Sequence, residues 1–252
     1  MKTKALLEVR DLNATFTDRR GSLHVLDSVS FKIKQGEFVC LLGPSGSGKS
    51  TLLRILAGLI PIGSGSVVLN GNEVRGPQPG VSLVFQDANL MPWRSVTENV
   101  GLPMELRNLS NGAAQARAQA MIDLVGLSGF EAALPRDLSG GMAQRVALAR
   151  ALVQDPEVLL MDEPFGSLDA LTRERMGDEL VRIWEADHKT VILVTHNINE
   201  AVYLADRVLV LSARPAQLKL DLATRLPRPR RPAMRYTPAF GKLAFRLREA
   251  IE

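Results

Sequence analysis

The sequence has one cysteine, Cys40, so no intramolecular disulfide can form. Set in the apolar run Phe38–Leu42, it reads as a buried small hydrophobe. No apolar run approaches the roughly 20 residues that a membrane-spanning helix needs. Phe38 to Leu42, Val158 to Met161 and Val191 to Val194 are all far shorter. Met1 to Lys4 is basic, but Glu8 interrupts the chain before any hydrophobic stretch of signal-peptide length, so a cytosolic location is expected. The excess of one sign of charge is small as well. A net charge of +4 without a dense basic face gives nucleic acid little to hold, and none is expected as a partner. There is no internal repeat and no sustained heptad. With 46% apolar and 23% charged residues in 252, what remains is a globular chain able to bury a sizeable core.

The residues present alternate between strand and helix signals. Leu6 to Ile33 is strand-like and ends with Val29, Phe31 and Ile33 alternating with Ser30, Lys32 and Lys34, the period of a half-exposed strand in an antiparallel lead-in sheet. Phe38–Leu42 is apolar throughout, as a central parallel strand is. Val67–Leu69, Asn70-Gly71 and Asn72–Val74 predict a hairpin, and Val81–Phe85 a further strand. From about 87 to 155 the strand patterns vanish and helical spacing takes over, as in Ala113–Val125 and Gln144–Val153, which predicts a helical insertion. Alternation then resumes with strand 158–161, helix 173–185, strand 191–195, helix 199–205 and strand 208–211, giving an α/β parallel-sheet core. One domain is expected over 1–225. Residues 226–252 form a basic, Pro-rich tail, extended through Pro227, Pro229 and Pro232 and ending in a helix near 240–251.

Three segments carry chemistry. Gly43-Pro44-Ser45-Gly46-Ser47-Gly48-Lys49-Ser50, followed by Thr51, fits the phosphate-loop pattern between a predicted strand and a predicted helix. Its glycines let successive N–H groups point at phosphate oxygens, Lys49 reaches the β- and γ-phosphates, and the Ser50 hydroxyl suits Mg²⁺. Asp162 and Glu163 end an apolar strand, where ligands of open α/β sheets bind. Paired acids there are often only a solvated turn, but beside a phosphate loop Asp162 suits the metal and Glu163 the attacking water. Ser139-Gly140-Gly141 opens a helix and offers a second anion-binding end with exposed backbone donors.

In this order, with Leu138–Arg145 about ninety residues after Lys49, these segments resemble the ATP-binding cassettes of ABC transporters over essentially the whole chain. The resemblance implies a P-loop NTPase core with an antiparallel β subdomain and a helical insertion, and hydrolysis of ATP with Mg²⁺. It implies a homodimer of cassettes in which Ser139, Gly140 and Gly141 of one copy close on the nucleotide of the other. It makes Gln86 a contact of Mg²⁺ or the attacking water, beside a groove that takes the transmembrane permease, and His196 a contact of the γ-phosphate. Asp169, in Ser167-Leu168-Asp169, falls in the loop that crosses the dimer interface. Phe16 is either the aromatic under adenine or a core side chain. Met142-Ala143 and Asn197 depart from common family residues without removing a catalytic group.

Asn89–Val96, Asp162–Asp169 and Glu200–Arg207 look most like bacterial nitrate, sulfonate and taurine importers, with thiamine-precursor importers close in pattern. That implies a peripheral place on the cytoplasmic face of the inner membrane and an indirect partner, a periplasmic or lipid-anchored substrate-binding protein. A non-transport cassette ATPase acting on nucleic acid is the main rival, and a phosphate-loop kinase a lesser one.

Overall fold

The computed structural model describes residues 5–18, 21–109, 112–166 and 168–252; the basic start Met1 to Lys4 and Ser167 lie outside them. The chain runs β1 (Ala5–Asp18), β2 (Gly21–Lys34), β3 (Phe38–Leu42), α1 (Lys49–Leu56), β4 (Ser64–Leu69), β5 (Asn72–Glu73), β6 (Val81–Val84), α2 (Val96–Leu106), α3 (Gly112–Leu124) and α4 (Gly140–Leu152). It continues through β7 (Val158–Asp162), α5 (Ala170–Asp187), β8 (Thr190–Val194), α6 (Ile198–Leu204), β9 (Arg207–Leu211), β10 (Leu218–Ala223) and α7 (Pro238–Ile251). Two compact units result, one from the chain up to Gln78 together with His188–Glu252, the other from Pro79–Asp187.

The first unit holds two kinds of sheet. An antiparallel sheet runs β2-β1-β4-β5, with Val9 opposite Phe31 on one side and Val67 on the other. At the end of β2 the expected alternation is realised: Val29, Phe31 and Ile33 are buried while Ser30, Lys32 and Lys34 are exposed. The other sheet places β3 between β8 and β9, all parallel, with Cys40 opposite both Leu193 and Val208. All five residues of β3 and all five of β8 are buried, which is why both segments read as unbroken apolar runs. Cys40 is free and buried, and its desolvation pushes the thiol pKa well up.

Two features of this unit differ from the expectation. β10 pairs antiparallel with β9 as an edge strand; its sequence alternates, but only Leu222 is buried, so the apolar signal is weak. The tail adds contacts that the expectation did not contain: Arg230 is 6% exposed, Phe240 and Leu247 of α7 are buried, and Arg228 and Arg230 donate to the carbonyls of Leu204 and Ala205 and Arg228 also to the Asp206 carboxylate.

In the second unit β6 pairs parallel with β7, setting Val84 opposite Met161. α2, α3 and α4 pack on one another, and α4 also packs on β6. α2 starts in a capping box, where Ser95 accepts from the Glu98 N–H and Glu98 accepts in return from the Ser95 N–H. The loop before it is fixed by Asn99, which is fully buried. Asn99 Nδ2 donates to the carbonyls of Met91 (3.2 Å), Arg94 (2.9 Å) and Ser95 (3.0 Å), and its Oδ1 accepts from the Met91 N–H (2.8 Å). Among the described residues no helix is long and apolar enough to cross a membrane.

Asn99→Leu keeps the branching at Cγ but removes the amide from several part-buried backbone groups, so it is expected to lower stability by about 3 kcal/mol, read as a lower urea midpoint; an unchanged midpoint would show that the loop needs no such anchor.

Candidate nucleotide site

In the first unit the phosphate loop leaves the buried C-terminal end of β3 and turns into α1 at Gly48. Gly48 has φ +100°, and a Cβ there would lie 2.6 Å from Val25 Cγ1, so both backbone conformation and space require glycine. As the first flanking residue of α1 it supplies no side-chain cap, and the start of a helix is where backbone N–H groups can meet an anion. Lys49 is 5% exposed. Its ammonium folds back over the loop and donates to the carbonyls of Gly43 (3.0 Å) and Pro44 (2.8 Å), with Ser47 Oγ at 3.5 Å. Ser47 is buried, whereas Ser50 and Thr51 are half-exposed at the start of α1.

His196 belongs to the same end of the sheet. Leu41 of β3 pairs with Val194 of β8, and the Thr195 N–H donates to Leu41 O (3.2 Å), so the loop and His196 issue from adjacent parallel strand ends. His196 is exposed. Asn197 caps α6, its Oδ1 accepting from the Glu200 N–H (3.1 Å), so Asn serves here as the N-cap an Asp would be. Phe16 is 42% exposed, so it is not a core side chain. It lies on β1 two residues beyond Ala14, whose partner Leu26 abuts Gly48, which puts it toward the phosphate-loop end of the hairpin.

In the second unit Asp162 ends β7 buried at 6% exposure, and Glu163 follows half-exposed with φ +45°. The Gly166 N–H donates to Glu163 O (3.0 Å), closing a turn. A Cβ placed on Gly166 would stand 3.5 Å from Gln86 Nε2 and 3.6 Å from Glu163 Oε2, so the amide of Gln86 and the carboxylate of Glu163 converge on one point. Strand adjacency explains this, since Gln86 follows β6 and Glu163 follows its parallel neighbour β7.

Ser139 caps α4, accepting from the Met142 N–H at 3.3 Å, and Ser139 and Gly140 are exposed. Leu168 and Thr172 flank Gly140 and Gly141. Exposed Asp169 caps the start of α5 by accepting from the Thr172 N–H (3.0 Å); hydrogen bonds from the Thr172 hydroxyl and then its N–H hold the carboxyl pKa below the ordinary Asp value.

Sequence reasoning missed the residues that hold these groups. On α4, Gln144 is buried and donates to Phe85 O (3.1 Å), while Arg150 donates to the carbonyls of Ala88 (2.6 Å) and Asn89 (2.9 Å), so the helix opened by Ser139 grips the backbone on both sides of Gln86. Arg173 donates to the carbonyls of Phe165 (3.2 Å) and Leu168 (2.8 Å), bracing the segment after Glu163. Nothing in their spacing marks these long polar side chains as braces.

Residues 26–166 match the ABC transporter family. An uncharacterized ABC transporter ATP-binding protein of Methanocaldococcus jannaschii is 47% identical over 91% of this chain and 86% of its own length. The nitrate import ATP-binding protein NrtD of Synechocystis is 47% identical over 88% of this chain and 83% of its own. The aliphatic sulfonates import ATP-binding protein SsuB of Bacillus cereus is 40% identical over 89% and 88%. Among solved structures, a dimeric ATP-binding cassette in a post-hydrolysis state bound to ADP and Pi aligns with TM-score 0.77 at 32% identity, covering 88% of this chain and 100% of that one. CbiO1 of Clostridium perfringens, part of the ABC transporter complex cbiONQ, aligns with TM-score 0.78 at 25% identity over 97% and 96%. With its phosphate loop, its capped glycine helix and relatives of this closeness over most of its length, the chain belongs to the ABC transporter family, as one of its ATP-binding cassettes.

Proposed function

We propose that this chain hydrolyses ATP to drive the import of a small anionic or organic solute such as nitrate, a sulfonate or taurine. The observation that carries the chemistry is the uncapped, glycine-turned start of α1 with a buried Lys49 folded over it, an arrangement that a polyphosphate completes. What supports the cargo class is the 47% and 40% identity to cassettes named for nitrate and aliphatic sulfonate import. Within that reading Gly43 to Thr51 cradle the phosphates and exposed Phe16 meets the adenine face.

The donor set fits Mg²⁺, a hard cation bound through few protein oxygens plus substrate phosphates: the Ser50 hydroxyl, the buried Asp162 carboxylate and the Gln86 amide oxygen. Among the described residues no cluster of three or more His, Cys, Asp or Glu could hold a metal alone, and this mode requires none. Bound there, the ion would neutralise charge on the β- and γ-phosphates. Glu163 accepts a proton from the attacking water, Gln86 orients that water, and His196 donates a hydrogen bond to the γ-phosphate.

Two copies act together in this proposal, Ser139, Gly140 and Gly141 of each closing on the nucleotide of the other, with Asp169 at the seam; the dimeric, ADP-bound relative supports it. Membrane attachment comes through a permease seated near Gln86, on the cytoplasmic face, with a substrate-binding protein selecting the solute. The cassette is proposed as a single domain over 1–225 with its tail beyond.

Glu163→Gln is expected to bind ATP with affinity near the parent's, lose at least about a hundredfold in kcat, and elute as a dimer with ATP and Mg²⁺; a monomer under saturating nucleotide would contradict the proposed closure. Lys49→Ala is expected to weaken ATP binding at least about tenfold by calorimetry, and an unchanged Kd would overturn its role. Co-purification of the chain from its native membrane, followed by ATP-dependent uptake of nitrate or taurine into vesicles carrying that complex, tests the cargo class.

A further inference from the structure

The tail beyond residue 225 has no part in the chemistry proposed above, yet its Arg230 is buried at 6% exposure, as Lys49 is at 5%, and Arg228 is largely covered. The two arginines are spent on one short helix. α6 is two turns long, about 10 Å, and a helix of that length does not hold itself together in water. Its C-terminal end leaves carbonyls without helical partners. Arg228 Nη2 donates to Leu204 O and Arg230 Nη2 to Ala205 O, each at 2.7 Å. Arg230 also donates to Thr224 Oγ1 (3.3 Å), Pro227 O (3.1 Å) and Leu226 O, which fixes its fork. Arg235 lies 3.6 Å over the ring of Tyr203, on the same helix.

The clamp reaches the phosphate-loop strand. Arg228 donates through Nε (3.1 Å) and Nη2 (3.0 Å) to one carboxylate oxygen of Asp206, and the other oxygen accepts from the Phe38 N–H (3.1 Å), the first residue of β3. At the opposite end of α6, Asn197 caps the helix, the Asn197 N–H donates to Thr195 Oγ1 (3.0 Å), and that hydroxyl is bonded to the Glu200 carboxylate. His196 lies between Thr195 and Asn197, two members of this network, just past the end of β8.

We propose that Arg228 and Arg230 are positioning residues for His196: the tail holds α6 by its C-terminal end, and α6 in turn fixes His196 at its N-terminal end. The inference rests on the reading above that His196 meets the γ-phosphate. A two-turn helix that keeps its shape only through its partners loosens along its whole length when one end is released, so the tail sets how well His196 is aimed, not how tightly the loop grips the phosphates. The tail's composition then follows. Arginine supplies the planar fork that reaches carbonyl and carboxylate at once, which lysine cannot.

The test is a double-mutant cycle on the purified full chain, Arg228→Ala with and without His196→Ala, together with amide hydrogen exchange. Arg228→Ala is expected to speed exchange in 201–205 at least about tenfold and to lower kcat about tenfold, with KM for ATP changed less than about twofold. On the His196→Ala background the same change is expected to alter kcat less than about twofold. Arg235→Ala, which touches α6 from the surface, is expected to act in the same direction more weakly, and carries the test should Arg228→Ala not fold. An equal loss of kcat with and without His196, or unaltered exchange in 201–205, would overturn the tail's role alone. Full activity of His196→Ala by itself would overturn the reading of His196 and the proposal with it.

Discussion

Burial of β3 on both faces, with parallel partners on both edges, is the constraint from which the first unit's chemistry follows. Its backbone is hydrogen-bonded to β8 on one side and β9 on the other, and no side chain of the strand is wetted. A strand so held delivers Gly43 to Gly48 at a fixed height above the sheet, and the same register delivers His196 from the next strand. The loop can therefore be built from glycine and serine, residues that give a chain no stiffness of their own, because its two ends are anchored in β3 and α1. Lys49 shows the electrostatic side of this. A cation at 5% exposure is tolerable only when its donors are satisfied, and the loop carbonyls of Gly43 and Pro44 are among the groups that accept from it.

The second unit solves a related problem with a helix. Gln86 is exposed and follows a strand of four residues, a weak support for a group that must be aimed. Gln144 and Arg150 supply the missing stiffness from α4, which Ser139 caps. Arg150 is buried enough that desolvation lowers its pKa, so its two carbonyl contacts are made in an environment that strengthens hydrogen bonds. One helix thus carries both the Ser139 cap and the brace of Gln86, so a displacement of either end is felt at the other.

Much of this was legible in the residues. The apolar runs of β3, β7 and β8 could hardly be other than covered strands, and glycine spacing with a lysine fixes a phosphate loop with little ambiguity. Ser139 was readable as a cap because serine before two glycines and a helix-forming run has few other uses. The failures share a cause. β10 is an edge strand with one buried residue, Gln144 and Arg150 work through contacts distant in sequence, up to 62 residues away for Arg150, and Arg173 and Asn99 bond to nearby loop carbonyls that no periodic pattern marks. The tail's contacts were not legible because arginine and proline together describe only an extended segment by composition, whereas here tertiary partners absorb the charge.

The account stands on a nucleotide site completed by a second copy, and one mixing measurement tests that most directly. Lys49→Ala leaves Ser139 intact and Ser139→Arg leaves the phosphate loop intact, so each variant alone is predicted to be inactive while a mixed dimer keeps one complete site. Mixing equal amounts of the two purified variants is predicted to restore ATP hydrolysis to on the order of a quarter of the parent rate, half the dimers being mixed and each carrying one good site of two. A mixture no more active than the sum of its inactive parts would contradict the shared site, as would full activity of Ser139→Arg by itself.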